Sequence, residues 1–294
     1  MAALPASALL APPPALAGCV RAYIWRDLAA LPAGAPRDTR VPTSPYPGIL
    51  WLVRGAVHLH ECAGQATDQW LPRTALSGAH RHAYHSTSEP AGDFFCLAFQ
   101  PGALALLTGQ DLQPLTDRVQ DARDWLPAGP GRADWLCWLE AMHAAPGHGA
   151  RMALCEAFLA PRWAAVARQH AAWLRVLQGR WERPARQALA RELGWTPRHL
   201  QRRAHQITGL RPGEVERMLR AEHALLAMRD AGASVVDAAL RHGYADQAHF
   251  SREARTLYER SPAALRTHAQ QPADDADWLL RRPAQMPAAP GARR

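Results

Sequence analysis

The chain of 294 residues contains no lysine, so all 34 of its basic residues are arginine. Its five cysteines, Cys19, Cys62, Cys96, Cys137 and Cys155, are odd in number, widely spaced and include no C-x-x-C pair. That pattern argues against a disulfide framework and a structural zinc site, and it fits a reducing, cytoplasmic compartment. Long apolar runs are also missing, since no stretch approaches the ~20 residues that span a bilayer. Leu16-Ala17-Gly18-Cys19 has the form of a lipoprotein cleavage site, but no basic residue precedes Arg21 and Pro12-Pro13-Pro14 interrupts the apolar segment. Membrane anchoring is therefore not expected.

What is present is enough for about two domains. Hydrophobic residues make up 48% and charged residues 20%, with 25 prolines, so ordinary cores and irregular connections can coexist. The net charge of +8 is concentrated. Residues 180–270 carry 16 Arg against 10 acidic residues, whereas residues 1–179 carry 14 against 13. Nucleic acid rewards such a block because each neutralised phosphate releases condensed counterions. A merely solvated arginine-rich face would have the same composition.

The expected fold class is α+β and multidomain. Residues 1–18 read as an Ala/Pro-rich tail without structure, 19–165 as a β-rich domain closed by helices, 166–268 as an all-α domain, and 269–294 as a second flexible tail. The run Ile49-Leu50-Trp51-Leu52-Val53, the alternating Val57-His58-Leu59-His60 and Phe94-Phe95-Cys96-Leu97-Ala98-Phe99 predict strands. Trp135, Trp138, Leu139 and Met142 recur at helical spacing and are expected to be core.

The all-α segment contains a near-repeat of about 50 residues. Leu200-Gln201-Arg202-Arg203-Ala204 followed by Gly209-Leu210-Arg211-Pro212 aligns with Phe250-Ser251-Arg252-Glu253-Ala254 followed by Glu259-Arg260-Ser261-Pro262. Each copy is preceded by a short helix ending at a glycine and an aromatic, Gly194-Trp195 or Gly243-Tyr244. A glycine there can turn the chain in the left-handed region and start a second helix. That second helix buries Leu200 and Ala204, or Phe250 and Ala254. It exposes Arg198, Gln201 and Arg202, or Gln247 and Ser251, with Arg252 beside them. Arg and Gln carry the forked donors and amides that read guanine and adenine edges in the major groove. Arg252 has an alternative role as an ion-pair partner of Asp237. Between the copies, Glu214 to Met228 reads as one helix able to space the two units.

The segment from Ser234 through His242-Gly243-Tyr244-Ala245-Asp246-Gln247 to Arg252, with Ser261-Pro262, resembles the signature of the AraC/XylS family of transcription regulators. Pro197-Arg198-His199-Leu200-Gln201-Arg202 and Gly209-Leu210-Arg211-Pro212 are similar to that family's first helix-turn-helix. The resemblance covers residues 166–268 and implies seven helices, with two helix-turn-helix units entering successive major-groove segments of double-stranded DNA. It also implies RNA polymerase contact, a small-molecule effector and homodimerisation as open questions. Departures are Ala204 and Ala254 where a large aromatic is usual, Ala238 where Ile is usual, and Glu259 where Gly is usual. The small residues would cost core volume unless Trp173, Trp181 and Trp195 fill it, and Glu259 resists positive φ.

More loosely, Tyr46-Pro47 to Trp51, Leu71-Pro72-Arg73 and Phe99-Gln100-Pro101-Gly102 resemble the β-rich, cupin-like domain that precedes many AraC-type DNA-binding domains. That implies a sensor or oligomerisation role. His58, His60, His80, His82 and His85 raise a metal-site reading, and Cys62 and Cys96 a redox or methyl-transfer reading. The alternating strand and the inertness of buried thiols argue against both. No metal, cofactor or enzymatic activity is expected, and the expected function is DNA-binding transcription regulation. A repair enzyme and a non-specific nucleoid binder are the alternatives.

Overall fold

The structure, a computed structural model, describes residues 5–31, 34, 37–171, 173–174, 183–230, 232–269 and 284. The N-terminal half is built from β1 (Ser7–Leu10), β2 (Val20–Asp27), β3 (Asp38–Val41), β4 (Gly48–Arg54), β5 (Val57–Cys62), β6 (Gln65–Trp70), β7 (Thr74–Ser77), β8 (Tyr84–Ser88), β9 (Asp93–Phe99) and β10 (Val119–Asp121). They form a six-stranded sheet in the order β1-β2-β9-β4-β7-β10 and a four-stranded sheet in the order β3-β8-β5-β6. The strand pairs are antiparallel.

The two-residue period of the strands decides what lies on each side of the larger sheet. From β4 and β9, Ile49, Trp51, Phe95, Leu97 and Phe99 enter the main core, which they share with Trp135 and Trp138. Those tryptophans come from α3 (Arg132–Ala144), which is followed by α4 (His148–Gln169); α1 (Ala103–Thr108) and α2 (Ala122–Trp125) precede them. Trp51 meets Trp138 edge-on at 5.3 Å, and its indole N–H donates to the Leu139 carbonyl at 3.2 Å. Buried aromatics of this size contribute roughly 1.5–3 kcal/mol each, which fixes the helices on this face. On the opposite face the same strands present Gly48, Leu50, Phe94, Cys96 and Ala98 towards the smaller sheet.

One expectation is overturned at the N-terminus. Residues Ser7–Leu10 are not a structureless tail but form β1, paired in register from Ser7 opposite Arg26 to Leu10 opposite Tyr23. Ala8 and Leu10 pack against the main core, so the short apolar run recovers enough burial to be ordered. The outer side of β1 is bridged in turn, since Ala284 N donates to Leu9 O at 2.9 Å and Ala11 N donates to Ala284 O at 2.8 Å. The rest of the expected C-terminal tail beyond Ala269 lies outside the described residues.

The C-terminal half contains α5 (Arg183–Glu192), α6 (Pro197–Thr208), α7 (Pro212–Asp230), α8 (Val235–Arg241), α9 (Gln247–Tyr258) and α10 (Pro262–Ala269). The fold is thus a β-rich domain followed by an all-α domain with two helix-turn-helix units. The spacer α7 has 19 residues, a length of roughly 28 Å at 1.5 Å per residue.

Candidate nucleic-acid interface

The two helix-turn-helix units are closed by the same backbone device. Gly194 (φ +64°) and Gly243 (φ +77°) take the left-handed conformation. The next residue in each case donates five positions back, Trp195 N to Ala190 O at 2.8 Å and Tyr244 N to Ala239 O at 3.0 Å. Both bonds satisfy carbonyls that the ending helix would leave open.

The second helices then start on side-chain caps. Thr196 accepts from His199 N at 3.2 Å, with Pro197 at the first helical position, and Asp246 accepts from His249 N at 2.6 Å. Leu200, Ala204 and Ile207 of α6 are buried, as are Phe250, Ala254, Leu257 and Tyr258 of α9. Arg198, Gln201, Arg202, Gln247 and Arg252 are exposed and Ser251 is half-buried. Within α6, Arg202 Nη2 lies 3.1 Å from His199 Nδ1. Arg252 makes no ion pair with any described residue. The Asp237 carboxylate accepts from Ser234 Oγ at 2.7 Å at the start of α8 instead. Glu253, the neighbour of Arg252, is occupied by Arg220 at 3.2 Å and the Tyr244 hydroxyl at 2.7 Å.

The departures from the family pattern are accommodated. Ala204, Ala238 and Ala254 are fully buried. In the same core Tyr244 packs at a tilt on Phe250 at 4.8 Å and Trp173 meets Trp195 at 5.7 Å, whereas Trp181 lies outside the described residues. Glu259 adopts φ +56° and caps α9 with its N–H on Arg255 O at 2.9 Å. A non-glycine residue there costs roughly 1–2 kcal/mol, and Glu259 in return forms an ion pair with Arg40 of β3.

That ion pair belongs to a joint between the two halves that the sequence did not reveal. The C-terminal end of α6 is held where Leu112 N donates to Gln206 O at 2.8 Å and Thr116 Oγ1 to Gly209 O at 2.6 Å. Gly209 has φ +78°, and a Cβ there would stand 2.7 Å from Thr116 Oγ1, so both conformation and space require glycine. The end of α9 is held by Thr43 Oγ1, which donates to Leu257 O at 2.9 Å. Midway along α7, Glu222 accepts from Arg21 at 2.8 Å and from the Tyr46 hydroxyl at 2.6 Å. Burial, reinforced by Glu222, raises the Tyr46 phenol well above its ordinary range, so it stays a donor. Both second helices are therefore fastened at their C-terminal ends, while their exposed N-terminal faces are left clear. The available signal was Glu222 itself, an acidic residue between the buried Ala221 and Ala224.

Between the two sheets lies a cavity of ≈ 130 Å³. Small residues, among them Gly48, Ala75, Ser77, Cys96 and Ala98, leave this space open. The histidines do not converge on it. His58 pairs with Asp68 and His60 with Thr87 at exposed positions, His85 approaches Glu61 at 3.5 Å, and His80 alone of the five lines the cavity. No cluster able to hold a metal ion occurs among the described residues. Burial pushes the Cys96 thiol up to about 12 and also raises Cys62, so neither is an activated nucleophile.

Residues 189–268 match a family model described as a helix-turn-helix domain, and residues 9–121 match one described as a domain of unknown function, DUF6597. The HTH-type transcriptional regulator GlxA of Rhizobium meliloti (strain 1021) is 36% identical over 88 residues, 29% of this chain. The chain thus spans about a quarter (26%) of the length of that curated relative. Among solved structures, an apo variant of ToxT from Vibrio cholerae strain SCE256 has a TM-score of 0.43 at 10% identity, covering 83% of this chain and 97% of that one. Wild-type ToxT from the same strain, bound to an unsaturated fatty acid, has a TM-score of 0.38 at 12% identity, covering 78% and 93%. The chain carries a C-terminal helix-turn-helix DNA-binding domain behind a β-rich domain, and at the level of the superfamily it is similar to AraC/XylS-type regulators.

Proposed function

We propose that the protein is a cytoplasmic, sequence-specific transcription regulator of the AraC type, which binds double-stranded DNA through α6 and α9 and responds to a small molecule through its β-rich domain. The observation that carries this reading is the pairing of two identically turned helix units, each with an exposed Arg/Gln face free of acidic partners among the described residues. Arg198, Gln201 and Arg202 are the proposed base and phosphate contacts of the first unit, and Gln247, Ser251 and Arg252 those of the second. The joint supports the regulatory half of the proposal, because any shift of the β-rich domain acts on the ends of both DNA-contacting helices. Homodimerisation and contact with RNA polymerase are natural extensions of the same reading.

The test is a gel shift of the full chain on the promoter region beside its own gene. A salt-sensitive complex that survives excess unrelated duplex is expected. Equal affinity for unrelated duplexes would identify a non-specific binder, and no complex would end the DNA-binding reading.

A further inference from the structure

The cavity between the sheets has a definite chemistry. Its walls include Leu50, Val57, Leu59, Leu71 and Phe94 together with hydroxyls such as Ser86 and Ser88, and no Arg, Asp or Glu lines it among the described residues. A buried ion would find no counter-charge there, a severe penalty in a low-dielectric site. His80 is 3% exposed and stacks on Tyr84 at 4.2 Å. Its Nδ1 lies 3.0 Å from the His82 carbonyl and donates to it, which in the neutral ring leaves Nε2 as an acceptor. Burial holds that ring neutral, with its pKa lowered to about 4. The Tyr84 ring lines the cavity, while its buried hydroxyl is turned to the Cys62 thiol.

We propose that this cavity binds a compact, uncharged, single-ring molecule carrying one hydroxyl, with the hydroxyl donating to His80 Nε2 and the ring against Leu50, Leu59 and Phe94. The size follows from the volume of ≈ 130 Å³, a little below the about 150 Å³ of an apolar cavity that accommodates benzene, so one otherwise unsubstituted ring is the limit. Carboxylates are excluded by the missing counter-charge, and hexoses by the volume of ≈ 130 Å³, since a hexose has twice the heavy atoms of benzene. This inference deepens the reading of the β-rich domain as a sensor and rests on it. The segment 39–46 gives ligand occupancy a route outward. Thr39, Val41, Ser44 and Tyr46 line the cavity, while Arg40, Thr43 and the Tyr46 hydroxyl hold Glu259, Leu257 and Glu222 of the DNA-binding half.

The experiment is isothermal titration of the full chain at pH 7, without DNA, with phenol, benzoate and a hexose. Phenol and benzoate share a ring and differ in charge. Phenol is expected to bind at least 100-fold more tightly than benzoate, and the hexose to show no heat. Ala98→Leu, which fills the cavity, should abolish phenol binding while the protein remains folded by circular dichroism. Gly48→Ala is the milder control, because its Cβ would meet Cys96 Sγ at 3.5 Å, an ordinary contact; it should weaken phenol several-fold. Benzoate binding within tenfold of phenol, no phenol binding, or phenol binding unchanged in both variants would each overturn the proposal. Because no DNA is present, a failed gel shift ends the regulator reading without touching this result, and the converse also holds.

Discussion

The Tyr46 hydroxyl donates to the Glu222 carboxylate at 2.6 Å, tying the loop before β4 to the middle of the helix that spaces the two helix-turn-helix units. Arg21 completes the contact from β2, with its guanidinium 2.8 Å from Glu222 and 5.4 Å from the centre of the Tyr46 ring. Side-chain exposures of 14% for Arg21 and 7% for Glu222 place the pair out of bulk water. Removing one partner of such a pair strands the other, at a cost of about 3 kcal/mol. Glu222→Ala should therefore lower the denaturant midpoint markedly, and Tyr46→Phe should cost only about 1 kcal/mol because Arg21 still holds Glu222. Wild-type unfolding by Glu222→Ala in urea would show that the halves are not joined here.

The exposed face of α6 makes a separate prediction. Arg202→Ala and Arg198→Ala should each weaken binding to a specific site by about 1–3 kcal/mol if the lost contact is to a base. A lost phosphate contact should instead weaken all duplexes alike and reduce the salt slope by about one. Fluorescence anisotropy at several salt concentrations separates these outcomes, and unchanged affinity in both variants would remove α6 from the interface.

Burial of His80 links stability to pH. Desolvation lowers its folded-state pKa from 6.5 to about 4, against a smaller opposing pull from the His82 carbonyl and Asp117. The unfolded chain therefore binds more protons in that window, so stability rises with pH. The contribution is complete above about pH 7 and is lost as pH falls through 6.5 towards 4, on the order of 3 kcal/mol for this group. His143, also lowered to about 4, acts in the same direction. Urea midpoints at pH 7 and pH 5 should differ less in His80→Gln than in the wild type.

The second unit's exit turn can be tested by two substitutions at one position. Glu259→Ala keeps a side chain at φ +56° and loses the Arg40 pair, whereas Glu259→Gly loses the same pair but relieves the backbone. The glycine variant should be more stable than the alanine variant by about 1 kcal/mol. Equal thermal midpoints would mean that the turn carries no strain.

Local periodicity made most of this architecture legible. The strands at 49–53, 57–60 and 94–99 and the helix pairs around Gly194 and Gly243 announce themselves within ten residues of sequence, and the near-repeat placed Arg198 and Arg202 on an exposed face. β1 stayed hidden because its order depends on β2 and Ala284, not on its own pattern. The cavity was hidden for a similar reason, since Gly48, Ala75, Ser77 and Ala98 are unremarkable singly and meet only when three strands pair. The joint depends on Arg21, Tyr46 and Glu222, which are separated by up to 201 residues, and no local spacing reports such a contact.

The most direct test of the central claim is selection from a random pool of duplex DNA by the full chain, with Arg202→Ala as the control. The account predicts an enriched motif with two conserved segments about one helical turn (~34 Å) apart, of which Arg202→Ala loses one. A pool that shows no enriched motif, or a motif unaffected by that substitution, would contradict it.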